Sequence, residues 1–249
     1  MSKEPILCIF QSGLPQTSNW ERMSGMRWPE DIAEAGKIQD TIRRRVRITP
    51  LRKVPRFVAG VDAAFSKDKV IGVACLYQYP EMIHIEDAHA AAAILFPYVP
   101  GYLTFREGSA LIDAVKRLVR RPDVILFDGQ GIAHPKGVGI ASHMGVLLDM
   151  PTIGCGKKRL IGEYEEPGLL KGDWSPLRYR NETVGAVLRT RDNVKPLFTS
   201  PGHRTCLQDS IEIILHCAKE YRIPEPLRRA DHISKNIRKT IIAHEVPTY

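Results

Sequence analysis

The sequence predicts an α/β fold in which a mixed β-sheet is flanked by helices. The run VILF at 124–127 is apolar without alternation, which is typical of a parallel strand buried on both faces. Three β-like segments at 56–65, 69–79 and 81–89, with a DK turn between the first two, indicate an antiparallel meander. Segments of helical periodicity lie between the strands, which is the pattern of an α/β protein.

The other elements follow from local patterns along the chain. The segment TFREGSALIDAVKRLVRR, for example, carries apolar residues at helical spacing. Helices are expected at 29–47, 104–121, near 139–149, from the helix-capping segment that begins SPGHR, and after Pro226. Further strands are expected at PTIGC, VGAVLRT and KPLFTS. The stretch that starts GKKRLIGEY is expected to be a long surface loop.

Composition narrows the class of partner. The 249 residues contain 36 Lys and Arg against 28 Asp and Glu, a net charge of +8. A positive surplus favours a polyanionic partner, nucleic acid first and an anionic membrane second. No apolar run approaches the roughly 20 residues of a membrane span, so we expect no membrane partner. Residues 1–28 are predicted to be an irregular extension, and 29–249 a single, monomeric domain.

The cysteines indicate the compartment. Five cysteines are scattered along the chain without a CxxC pair. An odd, dispersed set argues against a disulfide framework and against a zinc site, and favours a reducing environment. We therefore expect a cytoplasmic protein.

Three acidic residues stand where the predicted elements would aim them inward. Asp62 interrupts the apolar strand VAGVDAAF, Glu107 lies in the first turn of its helix, and Asp128 ends the buried strand. Each has an ordinary explanation: Asp62 could pair with a buried arginine, Glu107 could serve the helix dipole, and Asp128 could cap a loop. Gathered together they would repel one another, unless a hard divalent cation bridges them.

The chemistry of these ligands favours Mg²⁺, with Mn²⁺ as a substitute, because carboxylates offer only oxygen. The order of the acids is an aspartate on a first strand, a glutamate on the next helix, and an aspartate on a later strand. With an acid or histidine on a final helix, this order resembles the ribonuclease H-like nucleases, which hydrolyse phosphodiesters with metal-activated water.

A closer resemblance covers the chain from about Gly60 to Asp231. Six motifs, in order, are similar to those of the endonuclease V family of deoxyinosine 3′ endonucleases: GVDAAF, PYVPGYLTFREG, LFDGQGIAHPKGVGIASHMG, GCGKKRLIG, SPGHR and RIPEPLRRAD. The resemblance implies that Asp62 and Asp128 hold Mg²⁺ and that Glu107 completes the acidic cluster.

The PYVP motif presents an aromatic ring on a stiff loop. Tyr98 is flanked by Pro97 and, after Val99, by Pro100. A rigid ring there can fill the gap left by a base that leaves the stack. The alternative is a tyrosine that packs into the core beside two turn prolines. The resemblance implies that this loop is the family's strand-separating wedge.

The loop GQGIAH follows Asp128. Gly129 and Gly131 would allow its backbone to approach a flipped base, with His134 at the far end. GQGIAH also begins like a dinucleotide-binding GxGxxG motif, but His134 stands where the third glycine should be. The resemblance implies a hypoxanthine pocket here, with Leu103 and Leu160 in its apolar wall.

Other candidates depend on the resemblance. It implies that Lys157 lies near the scissile phosphate, where it could stabilise developing charge. Ser200, in the SPGH motif, could contact the lesion or could be a plain turn or cap residue. The fourth catalytic residue is Asp231 or His232, which cannot both point inward because they lie roughly 100° apart on a helix. We prefer Asp231.

The resemblance implies a Mg²⁺-dependent DNA repair endonuclease for deaminated bases, one that cuts the second phosphodiester bond 3′ to deoxyinosine. An inosine-specific endoribonuclease is the main alternative, because the resemblance extends to family members that prefer RNA. The 2′-hydroxyl would separate the two substrates. A nucleic-acid-binding module with an inactive site and a junction-resolving nuclease of the same fold are further alternatives. The intact acidic set weighs against the first of these and the PYVP motif against the second.

Overall fold

The structure, a computed structural model, describes residues 28–245, so the predicted extension at 1–27 lies outside the described residues. The strands are β1 (Phe57–Ser66), β2 (Lys69–Gln78), β3 (Ile83–Ala93), β4 (Val124–Phe127), β5 (Thr152–Gly156), β6 (Trp174–Tyr179), β7 (Glu182–Leu188) and β8 (Leu197–His203). The helices are α1 (Ile32–Arg45), α2 (Leu103–Lys116), α3 (Ile140–Leu148), α4 (Leu207–Cys217) and α5 (Glu225–Glu245).

All eight strands form one mixed sheet in the order β3-β2-β1-β4-β5-β8-β7-β6. The predicted meander is confirmed: β1 pairs antiparallel with β2, and β2 pairs antiparallel with β3. Ser66 pairs with Lys69, so the two-residue hairpin connection is Lys67-Asp68, one position before the predicted DK pair. The predicted parallel strand is also confirmed, because β4 lies parallel to both β1 and β5 and is buried along its whole length.

Helices cover both faces of this sheet. On one face α2 and α3 enclose a core that includes Phe105, Phe127 and Met144. Trp28, which we had assigned to the extension, belongs to this core and donates its indole N–H to the carbonyl of Phe105. On the opposite face α4 and α5 cover the central strands.

A glycine sets how closely α5 approaches the sheet. A Cβ on Gly60 would lie 2.3 Å from the backbone carbon of Pro226, so no larger residue fits between β1 and the start of α5. This contact brings the first turns of α5 against the strand that carries Asp62.

Three predictions of secondary structure were wrong: one strand was missed and two helix boundaries were misplaced. β6 was missed because Pro176 interrupts it, and proline is tolerated there because β6 is an edge strand. Helix α2 ends at Lys116 rather than near 121. Beyond its end the carboxylate of Glu86 accepts the N–H groups of Val119 and Arg120, which satisfies them outside the helix.

The third wrong prediction is the start of α4. The SPGH segment belongs to strand β8 and does not cap the helix. The cap is a reciprocal pair in which the Cys206 thiol accepts the Asp209 N–H and the Asp209 carboxylate accepts the Cys206 N–H. Helix-capping chemistry was correctly predicted but assigned to the wrong residues, since serine and proline are strong cap signals.

Disulfide bonds and membrane-spanning helices can be assessed only for residues 28–245. Cys75, Cys155, Cys206 and Cys217 are free thiols, and Cys8 lies outside residues 28–245. None of the helices in that region is both long enough and apolar enough to cross a membrane.

Candidate active site

Strand register brings two of the predicted carboxylates together. Val61 of β1 pairs with Phe127 of β4 in the parallel ladder, so Asp62 and Asp128 follow at the same level of neighbouring strands. Adjacent strands are about 4.8 Å apart, and residues in register point to the same face. The strand pairing alone therefore places both carboxylates side by side.

Helix α5 adds a third carboxylate from above this face. The Ser234 hydroxyl donates to Asp62 Oδ2 over 3.1 Å, which fixes the helix against β1. One turn earlier, Asp231 lies 3.8 Å from the Lys157 ammonium, measured from Oδ1 to Nζ. Lys235 holds the other Asp231 oxygen at 2.7 Å.

Asp62 has the most perturbed environment of the three aspartates. Burial, followed by the charges of Asp128 and Asp231, raises its pKa to about 7. Lys157 and the Ser234 hydroxyl oppose this rise. At neutral pH the metal-free site therefore holds a carboxyl that resists ionisation until a cation compensates it.

Glu107 approaches the same cluster from α2. It is the fifth residue of that helix rather than part of its first turn, so the helix-dipole explanation does not apply. Its carboxyl is buried, and burial followed by the charges of Asp62 and Asp128 raises its pKa well above the usual range. Arg106 lowers this pKa but donates its own hydrogen bond to the carbonyl of Phe96.

A lysine ammonium lies among the carboxylates. Lys157, just after β5, donates to Asp128 Oδ2 over 2.5 Å and is near Asp231. Burial alone would lower the pKa of Lys157, but the three aspartates raise it overall. Across residues 28–245 no three His, Cys, Asp or Glu side chains converge closely enough to form a metal site as they stand. The positive charge at this position is at present supplied by Lys157.

The structure distinguishes between the two candidates for the fourth catalytic position. Asp231 joins the cluster through Lys157. His232 is exposed, and its Nε2 hydrogen-bonds to the amide of Asn236 on the same helix. The predicted angular separation along the helix explains why only one of them faces inward.

The loop after Asp128 is held by strand β8. The Gly131 N–H donates to the Ser200 hydroxyl over 2.8 Å, and Ile132 N–H donates to the Pro201 carbonyl over 2.8 Å. A Cβ on Gly131 would lie 2.0 Å from the same Pro201 oxygen. The prediction that Gly131 leaves space for a base was therefore wrong in its reason: it leaves space for β8. Ser200 is fully buried and orders the loop.

His134 connects this loop to the PYVP loop. Lys136 N–H donates to His134 Nδ1, so Nε2 carries the proton that is donated to the Gly101 carbonyl over 3.0 Å. Burial lowers the pKa of His134, which keeps the imidazole neutral. Gln39 of α1 donates to the same carbonyl over 2.7 Å. Gly101 has φ +84°, a conformation that favours glycine.

The tip of the PYVP loop is open to solvent. Tyr98 is 69% exposed, and Pro97 and Pro100 beside it are exposed too. Val99 packs against the core and anchors the tip. The alternative of a core tyrosine is therefore wrong.

The other predicted pocket residues surround the same region of the chain. Leu103 is the half-buried first residue of α2, directly after the PYVPGY segment. Leu160 is 45% exposed in the loop after Lys157. Gly129 lies between Asp128 and the ordered part of the GQGIAH loop, where it is partly exposed.

Several residues that support the site were missed from the sequence. Ser234 holds Asp62, and Arg222 donates to the carbonyls of Lys157 and Pro196, which fixes the loop that carries the ammonium. Gln130 donates to the carbonyl of Lys158 and so ties the GQGIAH loop to that loop. None of these contacts has a sequence signal, because each joins residues at least 26 positions apart.

Acidic side chains gathered beside neighbouring parallel strands of a helix-flanked mixed sheet define a nuclease of the ribonuclease H-like fold class. A sequence model of the Endonuclease V family matches residues 40–232. The chain belongs to the Endonuclease V family, whose members are metal-dependent nucleases.

Relatives agree in both sequence and structure. Endonuclease V of Geotalea uraniireducens (strain Rf4) is 44% identical over 86% of this chain and 92% of its own. The crystal structure of Endonuclease V from Streptomyces avermitilis has a TM-score of 0.83 at 38% identity, over 86% of this chain and 96% of that one. Ciona intestinalis Endonuclease V, in complex with a 24mer DNA containing an inosine followed by a ribo-adenosine, has a TM-score of 0.75 at 29% identity, over 86% and 100% of the two chains.

Proposed function

We propose that this protein is a Mg²⁺-dependent repair endonuclease that recognises deoxyinosine and hydrolyses the second phosphodiester bond on its 3′ side. The observation that carries the proposal is the gathering of Asp62, Asp128 and Asp231 around the Lys157 ammonium, with Glu107 near enough to Asp62 and Asp128 for their charges to raise its pKa. Such a concentration of like charge is costly for a folded protein unless a cation is bound there.

The residues fit a hard divalent cation. The donors are carboxylate oxygens only. Burial and then the charges of Asp128 and Asp231 raise the pKa of Asp62 to about 7, and a bound cation would favour its ionised form. We assign Asp62 and Asp128 as its ligands, with Glu107 and Asp231 completing the acidic environment. Mg²⁺ bound there would supply an activated water for attack on phosphorus.

Lys157 supports this chemistry from the other side of the cluster. Its ammonium contacts Asp128 and lies near Asp231, so only a short movement would bring it to a phosphate oxygen at the same site. A fixed positive charge at that position stabilises the charge that develops on the phosphoryl oxygens.

Base recognition is assigned to the two joined loops. The exposed Tyr98 ring can replace a base that has left the stack, and the partly exposed backbone at Gly129 offers its amide and carbonyl groups to the flipped base. Hypoxanthine differs from adenine at O6 and at its protonated N1, so backbone groups can distinguish the two. The hydrogen bond from His134 to Gly101 holds the two loops next to each other.

The test is a nicking assay with Mg²⁺ on duplexes that contain one deoxyinosine or one adenine at the same site. We expect a cut one nucleotide beyond deoxyinosine and none beyond adenine. The variant Asp128→Ala should bind the deoxyinosine duplex but not cut it. Cutting by Asp128→Ala would remove Asp128 from the metal site, and equal cutting of both duplexes would overturn the specificity.

An inosine-specific endoribonuclease is a second candidate. The observation that favours it is the ribo-adenosine that follows inosine in the DNA bound by the Ciona intestinalis relative. The same assay with a single-stranded RNA that holds one inosine distinguishes the two. Cutting of the RNA alone would assign the site to RNA.

A further inference from the structure

A cleft lies at the edge of the sheet opposite the acidic cluster. It has a volume of about 690 Å³ and is lined by residues at the amino ends of the parallel strands, including Pro55 before β1, Val124 of β4 and Pro151 before β5. We call it the rear cleft. Strand β4 separates it from Asp128 and has four residues, which at about 3.3 Å each span roughly 13 Å. A molecule in the rear cleft is therefore not at the bond being cut.

The charge of the rear cleft is strongly positive. Five cationic side chains line it: Arg47, Arg52, Lys53, Arg121 and Arg204. Its two acids are already engaged by the protein. Asp123 accepts the N–H groups of Arg56 and Phe57, at 2.8 and 3.0 Å, and Asp149 pairs with Arg204 at 2.7 Å.

Three of the guanidinium groups are uncommitted. In the part of the chain that the structure describes, the side chains of Arg47, Arg52 and Arg121 make no hydrogen bond or ion pair, and all three residues are exposed. Their combined charge is not neutralised by the cleft itself. A planar guanidinium binds paired oxygens of a phosphate or a carboxylate, and three such groups in one cleft favour a ligand that carries several negative charges.

The lining also indicates how such a ligand is bound. Among residues 28–245, none that lines the rear cleft is aromatic, so this lining offers no platform for stacking bases. Contacts to phosphates alone do not depend on sequence. We propose that the rear cleft binds the phosphate backbone of a second segment of nucleic acid, which the active site does not cut. The proposal rests on the family's activity on nucleic acid and not on the metal site.

The experiment measures binding of a labelled, undamaged single strand of about 24 nucleotides by the full chain without divalent metal, as a function of salt. The triple variant R47A/R52A/R121A removes the three uncommitted charges. We expect at least tenfold weaker binding at low salt and a plot of log K against log salt that is shallower by about 2, at roughly 0.7 for each lost contact. R47K/R52K/R121K should restore the slope.

The matched control is R180A/R191A/K239A, which removes three exposed charges that do not line the rear cleft. Its binding should stay within about twofold of the parent. Nicking by R47A/R52A/R121A of a short inosine strand, of about twelve nucleotides, with Mg²⁺ should also stay within twofold. Unchanged affinity and slope in R47A/R52A/R121A would overturn the proposal, and so would a parallel loss of nicking of the short strand.

Three competitors identify the source of the phosphate or exclude it. An unlabelled oligonucleotide should displace the labelled strand from the parent, whereas R47A/R52A/R121A should show weak binding throughout. Equal displacement by tripolyphosphate at the same phosphate concentration would assign the rear cleft to a small polyanion. Stronger displacement by poly-glutamate than by the oligonucleotide, at the same concentration of negative charge, would assign it to an acidic protein. Either result would overturn the nucleic-acid assignment.

Discussion

The His134 imidazole donates from Nε2 to the carbonyl of Gly101 over 3.0 Å, and this bond joins the loop that follows the catalytic strand β4 to the loop that carries Tyr98. The His134 side chain is buried, and the acceptor carbonyl belongs to Gly101, whose φ is positive. The loop that we propose as the wedge and the loop that we propose for base binding are thus joined by a neutral histidine.

Replacing His134 with alanine should uncouple the two loops. The Gly101 carbonyl would keep only Gln39 as donor, and we expect a loss of about 1–3 kcal/mol in the free energy of unfolding. Nicking at deoxyinosine should fall more than Mg²⁺ affinity. Denaturant unfolding and nicking rates on deoxyinosine and adenine duplexes measure both effects. His134→Gln, which keeps an N–H donor, is the control, and equal losses in the two variants would contradict the role of the hydrogen bond.

Lys157 should determine how strongly Mg²⁺ stabilises the protein. In Lys157→Ala the carboxylates lose their ammonium partner, so the metal-free variant should melt at lower temperature than the parent at neutral pH. Added Mg²⁺ should raise its melting temperature more than that of the parent, because the ion no longer competes with a side chain. Nicking should fall by about 10²–10³ if Lys157 stabilises developing charge.

The neighbouring Lys158 provides a matched control, since it is exposed and contributes only its backbone carbonyl to the structure around it. Lys158→Ala should melt and nick like the parent. A melting response to Mg²⁺ that is the same in Lys157→Ala and Lys158→Ala would contradict the placement of the ion beside Lys157.

Asp62 should make the stability of the metal-free protein depend on pH. Burial, followed by the neighbouring carboxylates, raises the pKa of Asp62 from 3.8 to about 7, so the folded protein keeps a proton that the unfolded chain releases. This contribution to stability is complete below about pH 4 and is lost as the pH rises through about 7. Asparagine does not titrate, and Asp62→Asn should therefore be more stable than the parent at about pH 8, by about 1–3 kcal/mol.

Denaturant unfolding with EDTA between about pH 4 and 8 measures this difference, which should shrink as the pH falls. The control is Asp68→Asn, in the exposed β1–β2 turn, which should show no such trend. A stability gain in Asp62→Asn that is constant with pH would mean that the side chain acts through packing rather than charge.

The sequence was sufficient for those parts of the site that depend on strand position. Asp62 and Asp128 were predicted because each interrupts or ends an apolar run, and an in-register parallel pair then places them together. Tyr98 was predicted because two prolines stiffen its loop. In each case the signal lies within a few residues of the functional group.

The supporting residues could not be predicted because their partners are distant along the chain. Ser234 is 172 positions from Asp62, and Ser200 is 69 from Gly131. The close contact of Gly131 with Pro201 explains a glycine that we had assigned to base binding. Glycine is required wherever a Cβ would have no space, whether a ligand or a neighbouring strand occupies that space. The two cases look the same in the sequence.

Tyr98 should affect substrate discrimination without affecting the fold. Its ring is 69% exposed, so Tyr98→Ala should change the free energy of unfolding by no more than about 0.5 kcal/mol. Loss of the ring removes the surface that replaces base stacking, worth about 1–3 kcal/mol for each base, so the preference for deoxyinosine over adenine should fall at least tenfold. Tyr98→Phe keeps the aromatic face and should retain the preference. Nicking rates on matched duplexes decide the matter: a Tyr98→Phe variant as impaired as Tyr98→Ala would show that the hydroxyl, and not the ring, makes the contact.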